Sequence, residues 1–181
     1  MARDHAFRPL TTDRLRLREL AAGDAPFVAT LMNEPSFLEH IGDRGVRTAD
    51  DARTYIASGP WTRYERHGFG LWLVERRDTA EPLGLCGLLQ RDALPHPDIG
   101  FAFHSAHWSQ GYAFEAASRV MAFAREQLAS PRLLAIVSPS NASSIRLLTK
   151  LGMSYERMVR LAPTASAIAL YAVAFDTIPP P

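Results

Sequence analysis

Asp98-Ile99-Gly100-Phe101-Ala102-Phe103-His104, followed by His107-Trp108-Ser109-Gln110-Gly111-Tyr112-Ala113-Phe114-Glu115-Ala116, is the stretch around which the chain is organised. Its first part reads as a strand, Gly111 as a tight turn, and the residues from Tyr112 to about Leu128 as a helix. A strand, a glycine turn and a helix start, in that order, form an anion cradle. The first amides of a helix lack intrahelical acceptors, and the helix dipole adds partial positive charge there. Gly111 lets backbone approach a ligand with no Cβ in the way. Ala113, Ala116, Ala117, Val120, Ala124 and Leu128 recur at three- and four-residue spacing, so the helix has one apolar, mostly small face. Small residues let it lie close to a sheet and fix where its N-terminus points.

The 181 residues fit one domain spanning 1–181, with a core from about 11 to 176. An apolar share of 47% can supply a sizeable core. The net charge of +1 gives no general argument for nucleic acid or an anionic membrane. No apolar run reaches the roughly 18–20 residues that span a bilayer, and the N-terminus lacks the apolar stretch of a secretory signal. The single cysteine, Cys86, cannot form an internal disulfide and suits a reducing compartment. The expectation is a cytoplasmic protein.

Outward from the central stretch, Leu15 and Leu17 alternate with arginines, the pattern of a half-buried strand. Asp24 is expected to cap a helix to about Asn33, and Thr48 another, which Gly59-Pro60 interrupts before Trp61–Arg66 resumes. Phe69, Leu71 and Leu73 face opposite Gly70, Trp72 and Val74, so both faces of that strand are expected to be covered. Glu81-Pro82 marks a hairpin turn into Leu85–Leu89. Leu133–Val137 reads as a buried strand, Ser140-Asn141 caps a helix ending at Gly152, and two closing strands come after it, 153–160 and 168–175.

This order resembles the GNAT superfamily of acyl-CoA-dependent N-acetyltransferases. The family's phosphate loop follows Q/R-x-x-G-x-G/A. Here Trp108-Ser109-Gln110-Gly111-Tyr112-Ala113 matches the Gly and Ala but carries Trp where Gln or Arg is usual. That Trp, with the following Gly-Tyr-Ala-x-Glu-Ala, resembles the ribosomal-protein-alanine N-acetyltransferase branch. So do Thr12-Asp13-Arg14-Leu15-Arg16-Leu17-Arg18 and the segment from Asn141-Ala142-Ser143-Ser144 to Lys150-Leu151-Gly152-Met153. The resemblance implies an α+β (mixed α/β) fold. Its sheet would be twisted and mostly antiparallel, with six to seven strands, helices on both faces, and splayed fourth and fifth strands. It further implies that amides from Trp108, Ser109, Gln110, Gly111, Tyr112 and Ala113 bind the pyrophosphate of acetyl-CoA. Backbone groups of Phe101 and Phe103 would pair with its pantetheine arm, and an amide near Phe103 would hold the oxyanion. The acceptor would be a primary amine, on a protein N-terminus or a small molecule, and the resemblance leaves room for a homodimer.

Amide formation needs a neutral amine, so a base must take its proton, and the departing thiolate benefits from an acid. Asp98, near where family members often place a Glu, is the first candidate base, with a turn carboxylate as the plain alternative. His104 is the second candidate, against a plain polar strand end. His104 and His107 have an H-x-x-H spacing, but no further ligand completes a metal set nearby, so no metal is expected. Asn141 reads as a helix N-cap; the resemblance adds contact with the cofactor arm. The family's tyrosine acid is replaced by Leu148, and the branch passes its role to Ser144. Trp61, Tyr64, Phe69 and Trp72 either line an acceptor pocket or form core. Two rival readings stay open: a degenerate acyl-CoA sensor, favoured by the missing tyrosine, and a nucleotide-binding module, opposed by the absent G-K-[ST].

Overall fold

The computed structural model describes residues 7–128 and 130–175. Among them the strands are β1 (Leu10–Thr11), β2 (Leu15–Arg18), β3 (Leu71–Arg76), β4 (Pro82–Leu89), β5 (Asp98–Phe103), β6 (Arg132–Val137), β7 (Ser154–Val159) and β8 (Ile168–Ala174). The helices are α1 (Ala25–Met32), α2 (Pro35–His40), α3 (Ala49–Ile56), α4 (Thr62–His67), α5 (Tyr112–Gln127) and α6 (Ala142–Lys150). One sheet runs in the order β1-β2-β3-β4-β5-β6-β8-β7. Its pairs are antiparallel except β5 with β6. The described sheet thus has eight strands rather than six to seven. The extra one, Leu10–Thr11, pairs with Leu17 and Arg16, and two residues are too few to leave a periodic signal.

The alternation of side chains across the sheet divides the core in two. Leu15, Leu17, Trp72, Val74, Cys86 and Ile99 pack with the small face of α5, namely Ala116, Ala117, Val120 and Ala124. On the other face Leu73 and Leu85 pack with Val28 and Leu31 of α1 and Ala52 and Ile56 of α3. Strand β3 is therefore covered on both sides, as its unclean alternation implies. Burial of Cys86 pushes its thiol well above the ordinary range, which leaves it protonated. Tyr64, Phe69 and Trp72 are all core. Trp61 is partly exposed, and its indole donates to the Leu20 carbonyl at 2.7 Å.

Two helix boundaries differ from their sequence signals. Thr48 caps α3 as expected, accepting from the Asp51 amide at 3.1 Å. Gly59-Pro60 does not break the helical path, because residues 57–61 form a wide π-helical turn that joins α3 to α4. A wider turn accommodates a proline that cannot donate to the helix ladder. Asp24 makes no side-chain cap. Its carboxylate is instead gripped by Arg18 at 2.8 and 2.9 Å and accepts the Ala21 amide at 2.7 Å.

Strands β5 and β6 meet at a single rung, Asp98 with Leu134, where the Leu134 amide donates to the Pro97 carbonyl at 3.0 Å. Beyond it their C-terminal ends are unpaired, which leaves a gap in the sheet. On its other side β5 is held tightly by β4. A Cβ on Gly84 would sit 2.3 Å from the Ala102 carbonyl oxygen, so only glycine permits that approach. Among the described residues no helix is long and apolar enough to cross a membrane.

Candidate active site

The phase of β5 decides what faces the gap. The His104 amide donates to the Leu83 carbonyl at 3.0 Å, and backbone groups alternate sides along an antiparallel strand. His104, Ala102, Gly100 and Asp98 therefore turn their amides and carbonyls toward β4. Ile99, Phe101 and Phe103 turn theirs toward β6, where Ile99 lies beside the single rung. The N–H and C=O of Phe101 and the N–H of Phe103 are left pointing into the gap, the disposition expected of an edge that accepts an added strand. The Phe103 carbonyl already has a partner, because the indole N–H of Trp108 donates to it at 2.8 Å. Trp108 thus clasps the loop to the strand end, a role its sequence position does not reveal.

The loop after β5 presents most of the expected amides. Ser109 (φ 61°) and Gly111 (φ 82°) both adopt left-handed backbone, the alternation that turns successive N–H groups inward. The first bond of α5 runs from the Glu115 amide to the Gly111 carbonyl at 3.0 Å. Amides from Gly111 through Phe114 consequently have no intrahelical acceptor. The Trp108 amide differs from the others in already having an acceptor, the Ser105 carbonyl at 3.2 Å.

The loop also has a support that no sequence signal predicts. Arg14, from the turn before β2, donates through Nη1 to the Gln110 carbonyl at 3.0 Å and through Nε to Glu115 at 2.7 Å. Its guanidinium lies over the Tyr112 ring, 4.5 Å from the centroid. Glu115 accepts further bonds from the Thr12 hydroxyl (2.5 Å) and the Arg14 amide (3.1 Å). Burial works to raise the Glu115 pKa, but these bonds outweigh it and hold the carboxylate low. Both halves of the latch belong to recognised motifs. Nothing in either motif says that they touch across a hundred residues of chain.

Asp98 is 1% exposed and sits at the closed end of the gap. Its Oδ1 accepts from Arg91 Nε at 2.9 Å, and its Oδ2 is buried without a partner among the described residues. Burial raises its pKa, and the charges of Arg91 and Arg63 oppose the rise. A buried carboxylate with one free oxygen and a raised proton affinity has the character of a general base.

His104 is engaged on both ring nitrogens. Its Nδ1 accepts the Ala106 amide at 3.3 Å and its Nε2 lies 3.2 Å from Glu34. Glu34 also receives the Ser105 amide and hydroxyl. The imidazole therefore has no free lone pair, which argues against a base there. His107 lies 3.7 Å from a different acid, Glu81.

Asn141 caps α6. Its Oδ1 accepts the Ser144 amide at 3.0 Å and the Ser143 hydroxyl at 2.9 Å, and its Nδ2 has no partner among the described residues. The half-buried Ser144 hydroxyl is likewise without one. Leu148, where the family carries tyrosine, is core.

These residues do not all converge. Asp98 and Phe103 stand five residues apart on one extended strand, about 16 Å at 3.3 Å per residue. A base acts on the attacking nitrogen and an oxyanion donor on the carbonyl oxygen of one tetrahedral centre, and Phe101, about 10 Å from Asp98 on the same scale, is the nearer gap-facing amide.

The sequence model of the acetyltransferase (GNAT) domain matches residues 14–154. The chain belongs to the GNAT acetyltransferase family. It is 31% identical to the uncharacterized N-acetyltransferase YoaA of Bacillus subtilis strain 168, over 85% of this chain and 87% of that one. Among solved structures, an acetyltransferase from Agrobacterium tumefaciens strain C58 superposes with a TM-score of 0.79 at 26% identity, covering 94% of this chain and 96% of that one. RimL, a ribosomal L7/L12 alpha-N-protein acetyltransferase solved in complex with coenzyme A, shares the fold. Its TM-score is 0.80 at 14% identity, with 94% and 99% of the two chains covered.

Proposed function

We propose that this GNAT-family chain is an N-acetyltransferase that moves acetyl from acetyl-CoA to a primary amine by direct attack within a ternary complex. The observation that carries the reading is the free edge of β5, with the Phe101 N–H and C=O and the Phe103 N–H turned into a gap that ends at a cradle of free amides. The residues present fit acetyl-CoA. Amides of Ser109 to Phe114 suit a pyrophosphate, with the Arg14 guanidinium beside them, and the β5 edge suits a pantetheine arm running back from the loop. Asn141 Nδ2 offers a further donor across the gap. The likeness to YoaA and the coenzyme A complex of RimL support the same reading.

Acetyl-CoA, when bound, supplies an acyl group already activated as a thioester, so no nucleophile of the chain is needed. Asp98 takes a proton from the ammonium, directly or through water, on its unpartnered Oδ2. The Phe101 amide is placed to stabilise the developing oxyanion, and the Phe103 amide binds the pantetheine arm. As the C–N bond forms and the C–S bond breaks, the nitrogen gives up its second proton, which passes through the Ser144 hydroxyl as a relay to the leaving sulfur, while Asp98 returns its proton to solvent. The acceptor is the free amine of a small molecule or of a protein N-terminus.

One observation favours an alternative, an acyl-CoA-binding protein without transfer activity: Leu148 is buried core, so no phenol is available as acid at that position. Thermal shift and thiol release together test both readings. Saturating acetyl-CoA at about 100 times Kd should stabilise the protein by about 2.7 kcal/mol, ATP should not, and thiol should be released with some member of an amine panel. Stabilisation by acetyl-CoA with no release from any amine would favour the binding protein. Stabilisation by ATP alone would overturn both.

A further inference from the structure

Transfer as described leaves unused a set of charges around Asp98, on the face of the sheet covered by α1 and α3. Arg44 lies in the loop before α3, Tyr55 on α3, Arg63 on α4 and Arg91 in the turn between β4 and β5. Arg63 and Tyr55 flank the π-helical turn. A Cβ on Gly59 would lie 3.2 Å from Arg63 Nη1 and 4.0 Å from the Tyr55 ring. Burial raises the Tyr55 pKa against the opposing charges of Arg44, Arg63 and Arg91, and it raises that of Asp98 against Arg91 and Arg63. Two guanidiniums thus act on the Asp98 carboxylate, with Arg91 bonded to it, and the third, Arg44, acts on the Tyr55 hydroxyl.

Among the described residues neither Arg44 nor Arg63 makes a hydrogen bond or an ion pair, and the Tyr55 hydroxyl bonds to nothing. Arg47 and Arg53, close by in sequence, each hold an aspartate. The site therefore combines a net positive field, a half-buried unpaired Arg63, a free phenol and a buried carboxylate oxygen without a donor. A polycationic acceptor would be repelled by it, and a neutral amine would leave the guanidiniums unmatched. An acceptor carrying its own anion satisfies both halves.

We propose that the acceptor is a small amine bearing an oxyacid anion, carboxylate or phosphate, which Arg63 and Arg44 bind with the Tyr55 hydroxyl while Asp98 receives the ammonium proton. Arg91 then acts as a positioning residue, holding Oδ1 so that Oδ2 faces the amine. This specificity rests on the transfer reading above. Guanidinium–oxyacid pairs are charge-assisted and geometrically matched, which favours them over neutral contacts.

Matched acceptors that differ only in the anion test it on the full chain: glycine against methylamine, tyrosine against tyramine, phosphoethanolamine against ethanolamine, with spermidine as the polycation. The anionic member of at least one pair should have a kcat/KM at least about tenfold above its partner, and the responsive pair separates carboxylate from phosphate. Arg63→Gln should erase most of that preference by raising KM while kcat stays within about threefold, and Arg44→Gln should do so more weakly. Turnover of the neutral amines or spermidine at equal or higher kcat/KM would overturn the anion site and leave acetyl transfer standing. So would a preference that neither variant changes. Thiol release from no member would overturn the transfer reading, and this specificity with it.

Discussion

The two halves of the proposed site are built from different materials. The proposed donor side consists of main chain: gap-facing groups of Phe101 and Phe103, free amides from Gly111 to Phe114, and left-handed Ser109 and Gly111. Side chains there act at one remove, with Trp108 holding the Phe103 carbonyl and Arg14 with Glu115 holding the loop. The proposed acceptor side consists of side chains, with Asp98, Arg91, Arg63, Arg44 and Tyr55 drawn from separate segments. A ligand shared across a family can be read by backbone, because backbone geometry survives substitution. A ligand peculiar to one member has to be read by side chains, which change without disturbing the fold. Substitutions on the acceptor side should therefore move chemistry and specificity, and those on the donor side should move cofactor affinity.

Asp98→Asn should give the largest effect. Removing a general base lowers kcat by about 10²- to 10⁴-fold, while affinity for acetyl-CoA stays within a few-fold because the donor contacts are backbone. Stability should move the other way. The Asp98 pKa is raised in the folded protein, so the native state binds more protons than the unfolded chain and stability falls as pH rises through that window. The variant should thus match the parent below the ordinary carboxylate value of about 3.9 and exceed it at neutral pH. Urea unfolding at two pH values measures this. A loss of stability at neutral pH together with full activity would remove Asp98 from the acceptor side.

Gly111→Trp probes the donor side. A Cβ at that position would lie 3.3 Å from Arg14 Nη2, and φ is 82°. Left-handed backbone costs a non-glycine residue about 1–2 kcal/mol, and the added indole would fill the cradle. Titration calorimetry should show acetyl-CoA binding weakened by about 100-fold or more, equivalent to about 2.7 kcal/mol, with the far-UV spectrum unchanged. Gly111→Ala should show a smaller loss in the same direction. Unaltered affinity in both variants would mean that the pyrophosphate does not sit on these amides.

The same contrast explains what could be read from the chain. Alternation at Leu15 and Leu17, the small face of α5, and the caps at Thr48 and Asn141 are local patterns, and each predicts its element. The splayed strands came from the family resemblance carried by the glycine turn and its companion motifs. Where local signals failed, a longer-range interaction had taken over the residue. Arg18 claims Asp24 and prevents it from capping α1, and a π turn absorbs Pro60 where a break is expected. Leu10–Thr11 becomes a strand only because β2 lies beside it. At the site, Asp98 was visible as a carboxylate at a strand start. Its burial was not, nor were the bond from Arg91, the nearby Arg63, and the engagement of both His104 nitrogens, since each depends on chain brought in from elsewhere.

Trp108→Phe should give the smallest effect and is the finest test of the boundary between the two sides. The substitution keeps most of the ring but removes the N–H that holds the Phe103 carbonyl at 2.8 Å. Trp108 is 47% exposed, so solvent replaces part of the bond and the unliganded protein should lose little stability. The bond sets where the cradle sits relative to the β5 edge, and one ligand must meet both at once. Loosening it should therefore appear as reduced pre-organisation, weakening acetyl-CoA by about two- to fivefold, in line with about 0.5–1 kcal/mol for one hydrogen bond. The acceptor KM should not change, because the indole's bond is to the donor edge and not to the arginine cluster. Tighter acetyl-CoA binding would instead mean that the freed Phe103 carbonyl is itself a ligand contact that Trp108 competes for, and the donor edge would then extend one group further than the clasped structure offers.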